Sequence, residues 1–177
     1  FGHKKGKETV RLVAEDCLKK GIRYLTLFGF GQENWKRPAG EVRTLFRLFF
    51  IALKKDLSQL HDQGVCLKVH GEISAMPLYL QRAIEQACEQ TKQNSKMILN
   101  LMVNYSGRWD ILRAVRLSQG SALADLEDTF RQNLCLSGIP EPDLFIRPGG
   151  VQRLSNFILW DLAYTELYFS NVSWPEF

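Results

Sequence analysis

Apolar positions along the chain fall into alternating blocks of helical and strand spacing. Val10, Val13, Ala14, Cys17 and Leu18 recur every three or four residues, and Gly21 supplies a stop before the β-rich run 22–30. After Pro38 a long stripe of Val42, Leu45, Phe46, Phe49, Phe50, Leu53, Leu57 and Leu60 predicts a helix ending near Gly64. A strand over 65–71, an amphipathic helix over 77–94 and a strand over 97–105 follow. Then come a helix from about Trp109 to Leu117, a polar link, a further helix through Cys135, and a short strand in "PDLFIRPGG" that ends at Arg147. This alternation predicts an α/β domain whose mainly parallel central sheet is flanked by helices.

In such a sheet, ligands are expected beyond the carboxyl ends of the strands. Three strands run directly into polar loops that contain arginine: Glu33 to Arg37, Asn104 to Arg108, and Arg147 with its two glycines. Arginine presents a planar fork of donors that matches phosphate, and glycine lets backbone N–H groups approach closely. Each loop also has a plainer reading. Arg37 can be a solvated loop cation, Trp35 a plug over the end of the sheet, Arg147 half of a structural ion pair, and Ser155 or Asn156 a helix cap. The convergence of the loops on one rim favours a phosphate site.

Composition narrows the picture only modestly. The 177 residues are 45% hydrophobic and 24% charged, which suits one globular domain with a sizeable core. A formal charge of +4 favours anionic partners without naming them. The longest apolar run, 48–53, is far short of the roughly 20 residues that span a bilayer. The first ten residues carry no signal peptide, and the widely spaced Cys17, Cys66, Cys88 and Cys135 predict neither a CxxC metal site nor a disulfide framework, so a reducing cytoplasm is expected. His61 and His70 sit at a helix end and a strand end with nothing to pair them as ligands.

"GHKKG", "ENWKRP", "NYSGRWDI", "IRPGG" with "QRLSNF", "AYTELYF" and "WPEF" together resemble the cis-prenyltransferase family, whose best-known bacterial member is undecaprenyl diphosphate synthase. The motifs keep the family's order and approximate spacing from Phe1 to Phe177. The resemblance implies a helix-flanked sheet with a hydrophobic tunnel, assembled as a homodimer. It implies condensation of isopentenyl diphosphate onto an allylic diphosphate such as farnesyl diphosphate, with Mg²⁺, to give a cis-polyprenyl diphosphate, an undecaprenyl chain being the expected product. The absence of a DDxxD cluster separates it from the helical trans-prenyltransferases. No nucleic-acid partner is implied, and a lipid product admits peripheral contact with a membrane from the cytoplasm.

By the same resemblance, Arg147, Arg153, Leu154 and Ser155 bind isopentenyl diphosphate. His3 and Arg37 sit at the allylic-substrate site, Gly31, Gln32 and Glu33 also bind substrate, Trp35 packs near the substrate chain, and Asn34 stands at the position usually given to the proton acceptor. A neutral amide is a poor base, so Asn34 reads better as an orienting hydrogen-bond partner. Glu166 matches a magnesium-associated carboxylate, its plainer reading being a polar turn residue. The Phe46 to Phe50 stripe reads as core, with part of it available to line the tunnel.

The sequence departs from the family pattern in three places. The "DGNGRW" segment with its Asp is not among these residues, so the expectation is a single domain over 1–177 that lacks the Asp-bearing phosphate loop and has little activity alone. Val151 stands where a Glu usually follows the second glycine, in a loop reading "RPGG", and Gly31-Gln32 replaces a serine-containing pair. These departures keep open an alternative, a non-catalytic subunit of the same fold that stabilises a catalytic partner.

Overall fold

A computed structural model describes the backbone of residues 2–177 and the side chains from residue 8 onward. Its organising element is strand β3, Met97–Tyr105, the third strand in chain order. It lies between β1, Tyr24–Gly31, and β2, Val65–His70, with both pairings parallel. Leu25 and Leu67 both pair with Leu99, and Gly31 pairs with Tyr105, so the carboxyl ends of the strands share one rim.

β3 reads as a nearly unbroken apolar run because both of its faces are covered. Met97, Leu99 and Val103 face a core shared with Ala14, Val42, Phe46, Leu53, Leu80 and Ile84. Those side chains come from helices α1, Gly2–Lys19, α2, Ala39–Asp62, and α3, Leu78–Thr91. Met102 belongs to a second cluster with Tyr105, Leu136, Phe145, Phe157 and Ile158. A smaller cluster of Ala114, Phe130 and Leu134 joins α4, Gly107–Leu117, to α5, Leu126–Asn133.

The expected sheet is present in two pieces. Strand β4, Leu144–Arg147, pairs in parallel with β5, Glu166–Phe169, as a separate two-stranded ladder. Sequence periodicity gives no sign of β5, because it is four residues long and largely exposed. Predicted and observed boundaries differ by two or three residues for local reasons. Helix α3 ends at Thr91, whose hydroxyl donates to Ala87 O and accepts the Leu67 amide at 3.0 Å each. Helix α4 starts earlier than expected because Ser106 caps it, accepting from the Trp109 amide.

Phe46 is buried in the main core, whereas Phe49 and Phe50 are half-buried and Phe50 packs edge-on against Tyr79. No helix among the described residues is long and apolar enough to cross a membrane.

Candidate active site at the carboxyl ends of the strands

β1 ends in a bulge, with register shifts around Phe30 that turn the chain into a 3₁₀ turn, Gln32–Lys36. The Gly31 amide donates to Asn34 Oδ1 at 2.9 Å, so the Asn34 side chain closes this turn on itself. A Cβ on Gly31 would stand 2.9 Å from Glu33 Oε2 and 3.0 Å from the Phe28 ring. Glycine is what lets the Glu33 carboxylate lie against the strand end.

Trp35 is 44% exposed and donates its indole N–H to Asn104 Oδ1 at 2.7 Å. One face of the ring is covered by edge-on contacts with Phe30 and Phe46. Trp35 therefore plugs the end of the core, and the rest of its ring is open to solvent. Asn104 is itself buried, in the left-handed region at φ 51°, and donates to Glu72 O at 2.8 Å. Gln32 reaches Glu72 at 3.3 Å. Arg37 pairs with Glu41 at 2.7 Å on the surface of α2's first turn. His3 lies outside the residues whose side chains are described.

Arg147 closes β4 and folds back over the following loop. Its Nη1 donates to Arg153 O at 2.5 Å and to Ser155 Oγ at 2.6 Å. The ion-pair reading of Arg147 thus gives way to a side chain that shapes a loop; among the described residues neither Arg147 nor Arg153 has a carboxylate partner. Partial burial, then the neighbouring charge of Arg153, lower the Arg147 pKa. Two guanidinium groups held close without a counter-charge suit a bound anion. Leu154 turns inward onto the second cluster. The loop is conformationally demanding: Ser155, Asn156 and Ile158 have φ of 49°, 64° and 25°, and Gly149 and Gly150 have φ of 96° and 71°. Such values are uncommon for side chains other than Asn and Asp, and for a β-branched residue such as Ile158 they are strained.

Glu166 stands elsewhere. It opens β5 opposite Leu144, whereas Arg147 lies opposite Phe169 at the far end of the same ladder. Three residues of strand separate the two by roughly 10 Å. Among the described residues no group of three or more His, Cys, Asp or Glu side chains is placed to hold a metal ion. Within one chain, Glu166 is therefore not placed beside the arginine loop.

A cleft of about 930 Å³ opens on the α4 side of the rim, lined by Gln32, His70, Glu72, Ser106 and Arg113 among others. Next to it, the buried Asp110 carboxylate accepts from Tyr105 Oη at 3.2 Å, Arg113 Nη2 at 3.1 Å and the Cys135 amide at 3.1 Å. Burial and the Asp110 charge push the Cys135 thiol up to about 12, so it is not a thiolate nucleophile at neutral pH. His70 donates from Nε2 to Asn100 Oδ1 at 3.0 Å, and burial holds its pKa below the usual value.

In the sequence, Asn104 stands out only as a polar residue at a strand end and Asn156 only as a candidate cap. Both are asparagines at positive φ, the one side chain besides Asp that visits this region readily, but strand or loop pattern alone does not reveal such a backbone. Asn156 bridges the arginine loop, α4 and the Glu33 turn, donating to Glu33 Oε1 at 2.5 Å.

The chain is similar to known proteins over nearly all of its length. A family model described as "Putative undecaprenyl diphosphate synthase" matches residues 1–177. Isoprenyl transferase of Clostridium tetani is 41% identical over 184 residues, covering 100% of this chain and 72% of its own length. Isoprenyl transferase of Nitrosomonas europaea is 44% identical, covering 99% and 68%. A Legionella pneumophila ditrans,polycis-undecaprenyl-diphosphate synthase, specific for (2E,6E)-farnesyl diphosphate, is 45% identical, covering 99% and 77%. Among solved structures, a "probable undecaprenyl diphosphate synthase" from Campylobacter jejuni superposes with TM-score 0.86 at 31% identity, over 98% of this chain and 83% of that one. Lavandulyl diphosphate synthase from Lavandula x intermedia, in complex with dimethylallyl diphosphate, gives TM-score 0.92 at 35% identity, over 99% and 79%.

Proposed function

The chain belongs to the undecaprenyl diphosphate synthase family of cis-prenyltransferases, and from that premise we propose that it elongates an allylic diphosphate with isopentenyl diphosphate, leaving each new double bond cis. The observation that carries this reading is the Arg147 loop. With both Nη1 hydrogens committed to Arg153 O and Ser155 Oγ, Nη2 and Nε remain for a phosphate, beside a second guanidinium on Arg153.

In the reaction, the allylic C–O bond breaks as diphosphate leaves, the new C–C bond forms to the isopentenyl carbon, and a proton is lost from that unit. Negative charge grows on the leaving group, so donors fixed in advance lower the barrier. Arg147, Arg153 and Ser155 hold the isopentenyl diphosphate. The turn carrying Gln32, Glu33 and Trp35 bounds the allylic substrate, with the exposed part of Trp35 against its hydrocarbon. Asn34 contributes as the acceptor that fixes this turn, since its carbonyl is engaged by the Gly31 amide.

Mg²⁺ is the cofactor that the family reading implies, and Glu166 is the carboxylate assigned to it. Because Glu166 stands away from Arg147 in one chain, no step of the reaction is routed through the ion. A homodimer would cover exposed apolar side chains such as Leu112, Val115 and Trp160. Work in the cytoplasm, with peripheral membrane contact as the lipid product leaves, completes the proposal.

The deciding experiment is incorporation of radiolabelled isopentenyl diphosphate with Mg²⁺ and either farnesyl or dimethylallyl diphosphate. It is run on residues 1–177 and on a chain extended upstream to include a DGNGRW segment. Chain-length-resolved product from the extended protein, with little from the shorter one, is expected. Silence from both with either primer would overturn the enzyme reading and favour the non-catalytic subunit.

A further inference from the structure

We propose that Asn156 is a positioning residue that fixes the distance between the two substrate half-sites. This rests on the reading above, in which the Arg147 loop and the Glu33 turn each bind one diphosphate substrate.

The side chain is fully specified by its partners. Asn156 Oδ1 accepts from the Arg108 amide at 2.9 Å, which forces Nδ2 to the other side. There its two hydrogens go to Ser106 Oγ at 2.7 Å and to Glu33 Oε1 at 2.5 Å. The backbone of the same residue accepts from the Gly107 amide at 2.8 Å. Two of the orphan N–H groups at the start of α4 are therefore capped by Asn156, and the segment that carries Arg153 and Ser155 is seated on a rigid helix end. Gly107 makes this approach possible, because a Cβ there would lie 3.0 Å from Asn156 O and 2.9 Å from Leu159.

From that anchored seat the amide reaches across to Glu33, 123 positions away in the chain. The carboxylate is confined on its other side by Gly31, where a Cβ would come within 2.9 Å of Oε2. One charge-assisted bond thus joins the turn at the end of β1 to the loop after β4, two pieces that belong to different sheets. Condensation needs the allylic carbon and the isopentenyl carbon held in contact, and a misplacement of about 1 Å costs roughly 10²-fold in rate. A residue that sets this spacing should act on turnover, whereas a residue that grips one diphosphate should act on the KM of that substrate.

The test uses the full-length chain that carries the activity, with Asn156→Gly, Asn156→Asp, and Asn156→Asp combined with Glu33→Gln. Glycine accepts the positive φ and removes only the side chain. Aspartate keeps the acceptor for Arg108 but sets a carboxylate against Glu33, and the double variant restores the bond with donor and acceptor exchanged. Asn156→Gly and Asn156→Asp are each expected to lower kcat by about 10- to 100-fold, with both KM values moving less than about threefold. The double variant should recover most of the loss seen in Asn156→Asp. Wild-type kcat in Asn156→Gly, a selective rise in one KM, or a double variant no better than Asn156→Asp would each overturn the inference. An unmutated full-length chain that consumes no isopentenyl diphosphate would instead overturn the functional reading, and this inference with it.

Discussion

Arg147 concentrates the argument at the scale of single residues, because one guanidinium both shapes its loop and retains donors for an anion. Replacing it with alanine should raise the KM for isopentenyl diphosphate about 10- to 100-fold, the range set by losing a charge-assisted hydrogen bond. The melting temperature should hardly move, since the lost contacts are in an exposed loop. Arg147→Lys should not restore the KM, because a point ammonium cannot make the forked contact. Initial-rate kinetics at varied isopentenyl diphosphate check both, and an unchanged KM would remove Arg147 from the site. Gly31 gives a second residue-scale expectation. The Cβ of Gly31→Ala would press on Glu33 Oε2 and the Phe28 ring, so turnover should fall several-fold while circular dichroism stays native.

Between elements, the polar junction of α4 with the segments around Cys135 and Asp161 sets expectations for stability. Asp110 lies 2% exposed in the first turn of α4 and accepts from three different segments. Asp110→Ala would take the acceptor from the Tyr105 hydroxyl and the Cys135 amide and the ion-pair partner from Arg113, which keeps its bond to Asn133 O, and should cost about 3–5 kcal/mol in chemical denaturation. Burial, then the charge of Asp110, raise the Asp161 pKa from 3.8 to about 6. The folded state therefore holds that proton more tightly than the unfolded chain, and stability falls as pH rises through the interval from about 4 to about 6. Asp161→Asn should stabilise the protein at pH 8 by on the order of 1–2 kcal/mol after allowance for its partial exposure. The gain should vanish below pH 4, and thermal melts at the two pH values read it directly.

How far these elements could be seen in advance depended on length and burial. Strand β3 is legible to the residue because it is long and covered on both sides, and α2 because its apolar stripe persists for several turns. β5 was invisible as a strand: three of its four residues are exposed and they carry no alternation. Of the site, the Arg147 loop and the Glu33 turn were legible from residue type and their place at strand ends. The asparagines that hold them were not, because their role follows from a left-handed backbone and from partners such as Glu33, distant in sequence from Asn156. Glu166 was named by motif, yet only the parallel register shows which end of the ladder it occupies.

At the scale of the whole molecule, the Glu33 turn after one sheet meets the Arg147 loop of the other, and several large apolar side chains stay exposed. If Leu112, Val115 and Trp160 sit in a homodimer interface, the extended protein should run at twice its chain mass in multi-angle light scattering. Leu112→Asp with Val115→Asp should shift it toward the monomer. A protein that stays monomeric at all concentrations would contradict that assembly. The placement of β3 between two parallel neighbours has a consequence that can be timed. Its amides are bonded on both flanks, whereas among the described residues β1 and β2 each pair within this sheet only with β3. In deuterated buffer the β1 and β2 amides that point away from β3 should exchange first, and those of β3 should persist until the domain opens as a unit.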